Sequence, residues 1–124
     1  IMRVDLNLIS SSVAKELSKH LVGLPSENRV LLALPDEEKK VGSIILPGNV
    51  TEGVPKLGVI VKRGPITEEY NSYLDSIEIG NIIFFGNYAG KEIEPSFTEN
   101  YEIPKLKFTV LSLNEIIYWE PQNN

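Results

Sequence analysis

Apolar residues near the start of the chain recur with the spacing of one face of an α-helix. This stripe consists of Val13, Leu17 and Leu21. Ser10–Ser12 precede it as N-cap candidates, Gly23 stands where a left-handed residue would end a helix, and Pro25 follows. The pattern predicts an amphipathic helix over residues 12–22.

From Asn28 onward the pattern changes to short apolar runs of β-forming residues. The runs predict strands at Arg29–Leu34, Leu57–Lys62, Ile77–Phe85, Leu106–Leu111 and Ile116–Trp119. Segments rich in turn residues separate them at Pro35–Pro55, Gly64–Ser76, Gly86–Pro104 and Ser112–Asn114. We therefore expect an all-β domain over residues 28–121, a small barrel or sandwich, after an N-terminal extension over residues 1–27.

The segment between the first two predicted strands has an unusual centre. The charged run Asp36–Lys40 leads into the aliphatic residues Ile44–Leu46, with Gly42 before them and Gly48 after them. Aliphatic residues in a loop-like segment are typical of a group that binds a groove on another protein. The alternative is that residues 41–46 form an ordinary buried strand of the domain.

The charge balance and the absence of cysteine exclude several classes of function. A net charge of −5 disfavours binding to nucleic acid or to an anionic membrane surface. The aromatic residues therefore fit core and interface packing better than a base-stacking platform. No apolar run has the roughly 18 residues of a membrane span. The absence of cysteine excludes disulfides and cysteine-based zinc sites, and it fits a cytoplasmic protein.

The sequence contains little that could carry out catalysis. The single histidine, His20, lies on the predicted helix without a visible set of carboxylates that would complete a metal site. The pairs Glu37/Glu38 and Glu68/Glu69 are adjacent in sequence, and adjacent side chains of an extended chain point in opposite directions. We therefore expect a protein that is not an enzyme and needs no metal or cofactor.

Five segments, taken in order, resemble the GroES-type co-chaperonins. They are Asn28–Leu32, Gly42–Leu46, Gly58–Gly64, Ile79–Phe85 and Glu115–Tyr118. The first is similar to the family's Asp-Arg-Val strand, and the second to its Gly-Gly-Ile-Val-Leu mobile loop. The third and fourth are similar to its Gly-x-Val-x-x-Val-Gly and Val-Gly-Asp-x-Val-x-Phe segments. The last resembles the family's closing strand.

The resemblance implies a small GroES-like β-barrel with a long mobile loop at about residues 35–55 and a short N-terminal helical extension. Seven copies would form a ring that caps a GroEL-type chaperonin and assists ATP-dependent protein folding, with ATP bound by the chaperonin. The implied chaperonin-binding residues are Gly42, Ser43, Ile44, Ile45, Leu46 and Pro47. The first strand of one copy would pair with the last strand of its neighbour, with interface residues Val30, Leu32, Ile116 and Tyr118.

Three segments depart from the family's pattern. Residues 2–27 have no counterpart in the bacterial proteins, Gly86–Pro104 is longer, and Pro65–Ser76 lacks the Asn-Gly turn expected of the family's roof hairpin. Such divergence resembles the members encoded by tailed phages, for which the location would be the host cytoplasm. The alternative function is a small β-barrel adaptor or virion structural protein with an unrelated partner.

The energetics of the loop indicate weak binding by each copy. Burying Ile44, Ile45 and Leu46 contributes about 1.5–3 kcal/mol each. Fixing a flexible backbone costs roughly 1–2 kcal/mol per residue, which offsets most of that gain. Several loops on one ring would nevertheless bind firmly, because each later contact is intramolecular.

Overall fold

The computed structural model describes residues 8–35, 55–67, 69, 76–102 and 104–122. Within these residues the chain forms one α-helix and six β-strands. The helix is Ser11–His20 (α1), and the strands are Arg29–Pro35 (β1), Lys56–Arg63 (β2), Ile82–Phe85 (β3), Lys91–Ile93 (β4), Leu106–Ser112 (β5) and Ile116–Glu120 (β6). The strands form a single sheet, so the all-β fold predicted from the sequence is confirmed.

The sheet is antiparallel, with the strand order β4-β5-β1-β2-β3-β6. β1 pairs with β5 along its whole length, from Arg29↔Ser112 to Pro35↔Leu106. On its other side it pairs with β2, and the register of that ladder shifts between Leu31 and Leu32. The first predicted strand is therefore an inner strand of the sheet.

Buried side chains line both faces of the sheet. Along β1, Val30 and Leu32 join one hydrophobic cluster, whereas Leu31 and Ala33 join the other. Successive side chains of a strand point to opposite faces, so a strand buried on both faces reads as a continuous apolar run. This burial explains why Val30–Leu34 contains no polar residue.

Helix α1 lies against the face that carries Leu31 and Ala33. Its start is capped by Ser10, whose Oγ accepts a hydrogen bond from the Val13 backbone N–H at 3.2 Å. The buried residues that it contributes to this face, with the residue that follows it, are Ala14, Leu17 and Leu21. Lys62 Nζ donates to the Ser18 carbonyl oxygen at 2.8 Å, which places a cation near the C-terminal turn of the helix.

The helix ends at His20, two residues before the predicted end. Leu21 is already extended, at φ −79° and ψ 133°, because it forms an isolated antiparallel bridge with Phe97. Among the described glycines, positive φ angles occur at Gly80 and Gly90 and not at Gly23. The predicted role of Gly23 as a left-handed helix cap is therefore wrong, since pairing with a distant segment ends the helix.

Four strands were predicted to within one residue at each end, but the predicted strand Ile77–Phe85 is too long. β3 begins only at Ile82. Gly80 has a φ of +100°, and the Asn81 N–H donates to the Glu78 carbonyl oxygen at 3.1 Å, so this part is a turn. Ile77 is nevertheless buried.

Strand β4 lies inside the segment Gly86–Pro104, for which the sequence predicted turns. It is short, it pairs with β5, and all three of its residues are exposed. A strand without a buried face has no apolar alternation, so the hydrophobic pattern gave no sign of it.

We expect the docking of α1 to contribute substantially to stability. Leu17 is completely buried, so Leu17→Ala should lower the free energy of unfolding by about 2–5 kcal/mol through lost burial and a residual cavity. Chemical denaturation at a fixed protein concentration measures this change. Val13→Ala is the control, because Val13 is exposed on the same helix and should cost about 0.5 kcal/mol or less. Equal losses for the two variants would contradict the packing described here.

A second prediction concerns the close approach of the chain before β1 to the end of β2. A Cβ atom at Gly64 would overlap the carbonyl oxygens of Pro25 and Ser26, so Gly64→Ala should cost about 1–3 kcal/mol. At Gly86 a Cβ would meet no heavy atom within 4 Å. Gly86→Ala should therefore leave the denaturation midpoint nearly unchanged, and a similar loss in both variants would refute the steric explanation.

Candidate functional site

The two predicted interface residues in β1 lie inside the chain's own core. Val30 and Leu32 are buried, and they pack in the cluster on the face opposite α1. Both backbone edges of β1 are occupied, one by β2 and the other by β5. In this fold β1 has no edge with which to pair with a neighbouring copy.

The two predicted interface residues in β6 have different surroundings. β6 is the last strand of the sheet, and it pairs with β3 through contacts such as Phe84↔Tyr118. No strand of the described residues pairs with its outer edge. Ile116 is half-buried against the core, whereas Ile117 and Tyr118 are 64% and 54% exposed. An outer strand with exposed apolar side chains is a template for pairing with another chain.

Tyr118 is held in place although it is exposed. Its ring makes an edge-to-face contact with the ring of Phe84, with centroids 5.0 Å apart and planes at 77°. The aromatic side chain is therefore presented in one orientation at the outer strand of the sheet.

The segment Val22–Pro25, which follows the extended residue Leu21, is a second exposed apolar surface, and sequence reasoning missed it. Val22 and Leu24 are 65% and 68% exposed. The available signal was the alternation of two apolar residues around Gly23, which is a strand pattern. The sequence prediction instead placed Val22 at the end of a helix and Gly23 at its cap.

An apolar groove lies between Val22–Pro25 and the sheet. It has a volume of about 270 Å³, and its lining includes Leu31 of β1, Val110 of β5 and Ile93 of β4. Ile93 is also exposed. The groove therefore extends the apolar surface of Val22–Pro25 toward the β4 end of the sheet, whereas β6 lies at the other end.

His20 serves to join α1 to a neighbouring segment. Its Nε2 donates to the Glu16 carboxylate at 3.2 Å, and its Nδ1 forms a hydrogen bond with Thr98 Oγ1 at 3.0 Å. Its ring stacks on Tyr101, with centroids 4.1 Å apart. Within the described ranges, no three His, Asp or Glu side chains come together as a metal site. No helix found there is long and apolar enough to cross a bilayer.

The predicted chaperonin-binding residues, Gly42–Pro47, lie outside the described residues. The structure does show where the connection that contains them starts and ends. It follows β1 after Pro35 and reaches β2 after Pro55. β1 and β2 are antiparallel neighbours, with Ala33 opposite Val59. The C-terminal end of β1 and the N-terminal end of β2 therefore lie side by side, and the connection is attached to both.

Comparison with known proteins identifies a family. Residues 24–116 match the family described as the chaperonin 10 kDa subunit. The co-chaperonin GroES of Bacteroides thetaiotaomicron is 37% identical over 76 residues, which cover 60% of this chain and 80% of the relative. The co-chaperonin GroES of Marinobacter nauticus is 33% identical over 72 residues, with 56% and 76% covered. The co-chaperonin GroES 1 of Rhodopirellula baltica is 33% identical over 73 residues, with 56% and 71% covered.

The matched range contains β1 to β5 and reaches the first residue of β6, whereas α1 precedes it. This match favours the co-chaperonin function over an adaptor or a virion structural protein. The named relatives come from bacteria, so a phage origin stays a prediction. The chain belongs to the chaperonin 10 kDa subunit family and is a co-chaperonin, a helper of protein folding that is not itself an enzyme.

Proposed function

We propose that seven copies of this chain form a ring that caps a GroEL-type chaperonin in the cytoplasm and closes the chamber in which substrates fold. The family match over residues 24–116 carries this proposal. The chain needs no cofactor of its own in this function, because ATP is bound by the chaperonin. The sign and size of the net charge, −5, also fit a protein partner better than nucleic acid.

The chaperonin contact in this proposal consists of Gly42, Ser43, Ile44, Ile45, Leu46 and Pro47. The aliphatic residues would fill an apolar groove on the chaperonin, and the glycines would permit the turns on either side. The attachment of this connection to β1 and β2 supports the assignment, because these are the two central strands of the sheet. A ring would thus present all its binding segments from equivalent rigid positions.

The ring contact in this proposal joins the outer edge of β6 in one copy to the segment Val22–Pro25 of the next. Both surfaces expose apolar side chains, and they face opposite ends of the sheet, since the groove beside Val22–Pro25 reaches β4 whereas β6 is the strand at the other end. Contact between two different surfaces of identical chains is head-to-tail, and it closes into a ring when the rotation permits. Ile116 and Tyr118 keep their proposed interface role, whereas Val22 and Leu24 take the place of Val30 and Leu32.

The chaperonin contact is tested by Ile45→Asp. The substitution should leave the ring assembled but weaken its capping of a GroEL-type chaperonin with ATP by at least about tenfold, because an unpaired charge would enter an apolar groove. Native mass measures the ring, and co-sedimentation with the chaperonin measures capping. Ser12→Asp adds the same charge at an exposed position of α1 and should cap normally. Capping by Ile45→Asp rings at wild-type strength would refute the proposed contact.

The ring contact is tested by Tyr118→Asp. The wild-type chain should give seven-subunit particles in native mass spectrometry, and the variant should give mainly monomers, because its charge would lie in an apolar contact between copies. Tyr88→Asp is the matched control, since Tyr88 is also exposed, lies between β3 and β4, and belongs neither to β6 nor to the lining of the groove beside Val22–Pro25. Heptamers of Tyr118→Asp with wild-type stability would rule out β6 as the contact strand.

A further inference from the structure

The segment Val22–Pro25 is fixed at both ends, although its centre has few neighbours. At its downstream end, the carbonyl oxygens of Pro25 and Ser26 lie so close to Gly64 that a Cβ atom there would overlap them. At its centre, a Cβ atom on Gly23 would meet no heavy atom within 4 Å. The conformation of the exposed centre therefore depends on what holds its two ends.

The upstream end is held by residues Ser96–Thr98, which we name the strap. The Val22 N–H donates to the Ser96 carbonyl oxygen at 3.0 Å, and the Thr98 N–H donates to the His20 carbonyl oxygen at 2.8 Å. Between these bonds, Leu21 and Phe97 form the antiparallel bridge. The strap thus forces the chain to become extended immediately after α1.

The strap and α1 are locked to each other and to the core. His20 bonds to Thr98 and to Glu16, and its ring stacks on Tyr101. The Phe97 ring lies 5.4 Å from that of Tyr101 and 5.7 Å from that of Phe108 in β5. These contacts connect the last turn of the helix to the sheet through one chain of packed rings.

Part of this arrangement precedes the family match, and part lies within it. The match begins at residue 24, so α1, Leu21 and Val22 precede it, whereas the strap lies inside it. Helix α1 therefore fixes the start of a segment that the proposed ring uses, although the helix itself lies outside the matched range.

We propose that α1 and the strap brace Val22–Pro25 in the conformation that binds β6 of the neighbouring copy. This inference rests on the proposed ring contact. A segment whose ends are already held loses less conformational freedom on pairing, so its association is stronger for the same contacts. His20 is a positioning residue in this arrangement, since it holds the segment without being part of the ring contact.

His20→Ala tests the brace. It removes the side-chain bonds to Thr98 and Glu16 and the stack on Tyr101, while alanine keeps the helix favourable. Sedimentation measures the subunit concentration at which half of the ring dissociates. We expect this concentration to rise about tenfold, because a hydrogen bond and a ring contact together contribute free energy of that order. Lys15→Ala, at an exposed position of the same helix, is the control and should dissociate as the wild type does.

A second measurement separates bracing from a general loss of stability. In the monomeric Tyr118→Asp background, His20→Ala should speed hydrogen exchange at the amides of Val22, Gly23 and Leu24, while the amides of β5 exchange as before. Unchanged exchange at these three amides overturns the brace. An unchanged half-dissociation concentration of the His20→Ala ring would also overturn the brace, but it would leave the proposed ring intact. A wild-type chain that stays monomeric at all concentrations would overturn both proposals.

Discussion

The fold depends on the burial of β1 on both faces and along both edges. Its backbone groups are paired with β5 and β2, and its side chains enter two hydrophobic clusters. A strand buried in this way needs a cover on each face of the sheet. It also leaves no edge for other chains, so contacts between copies must use surfaces other than the edges of β1.

The helix that precedes the family match supplies one of these covers. Ala14, Leu17 and Leu21 pack with Leu31 and Ala33 in a single cluster. The helix of the N-terminal extension is therefore part of the core, although the extension was predicted as a segment separate from the domain over residues 28–121. An element that precedes the family match is thus built into the core of the matched domain.

The parts of the fold that local patterns determine were predictable from the sequence. The apolar runs gave β1, β2, β5 and β6 to within one residue, because β1, β2 and β5 bury side chains and β6 packs Ile116 and Trp119 against the core. Features set by non-local pairing or by single backbone angles were not predictable. The end of α1 depends on Phe97, which is distant in sequence, and the turn before β3 depends on the positive φ of Gly80.

The candidate surfaces were predictable only in part, because they too depend on non-local pairing of strands. Tyr118 was identified through a resemblance between closing strands, and it does lie on an outer strand. Val30 was assigned to an interface because the resemblance implied that the first strand pairs with a neighbouring copy, but the chain order of strands does not give their order in a sheet. Val22 and Leu24 were missed, because a helix pattern next to them suggested a helix end.

The two outer strands of the sheet differ in how readily another chain could pair with them. This difference affects how prone a single subunit is to aggregate. β4 is short and carries Lys91 and Glu92, features that discourage a further strand from adding to an edge. β6 is the last strand at the other end, and it exposes Ile117 and Tyr118. A newly made subunit therefore carries an aggregation hazard at one end, and joining the proposed ring quickly would protect the chain as well as complete the proposed cap.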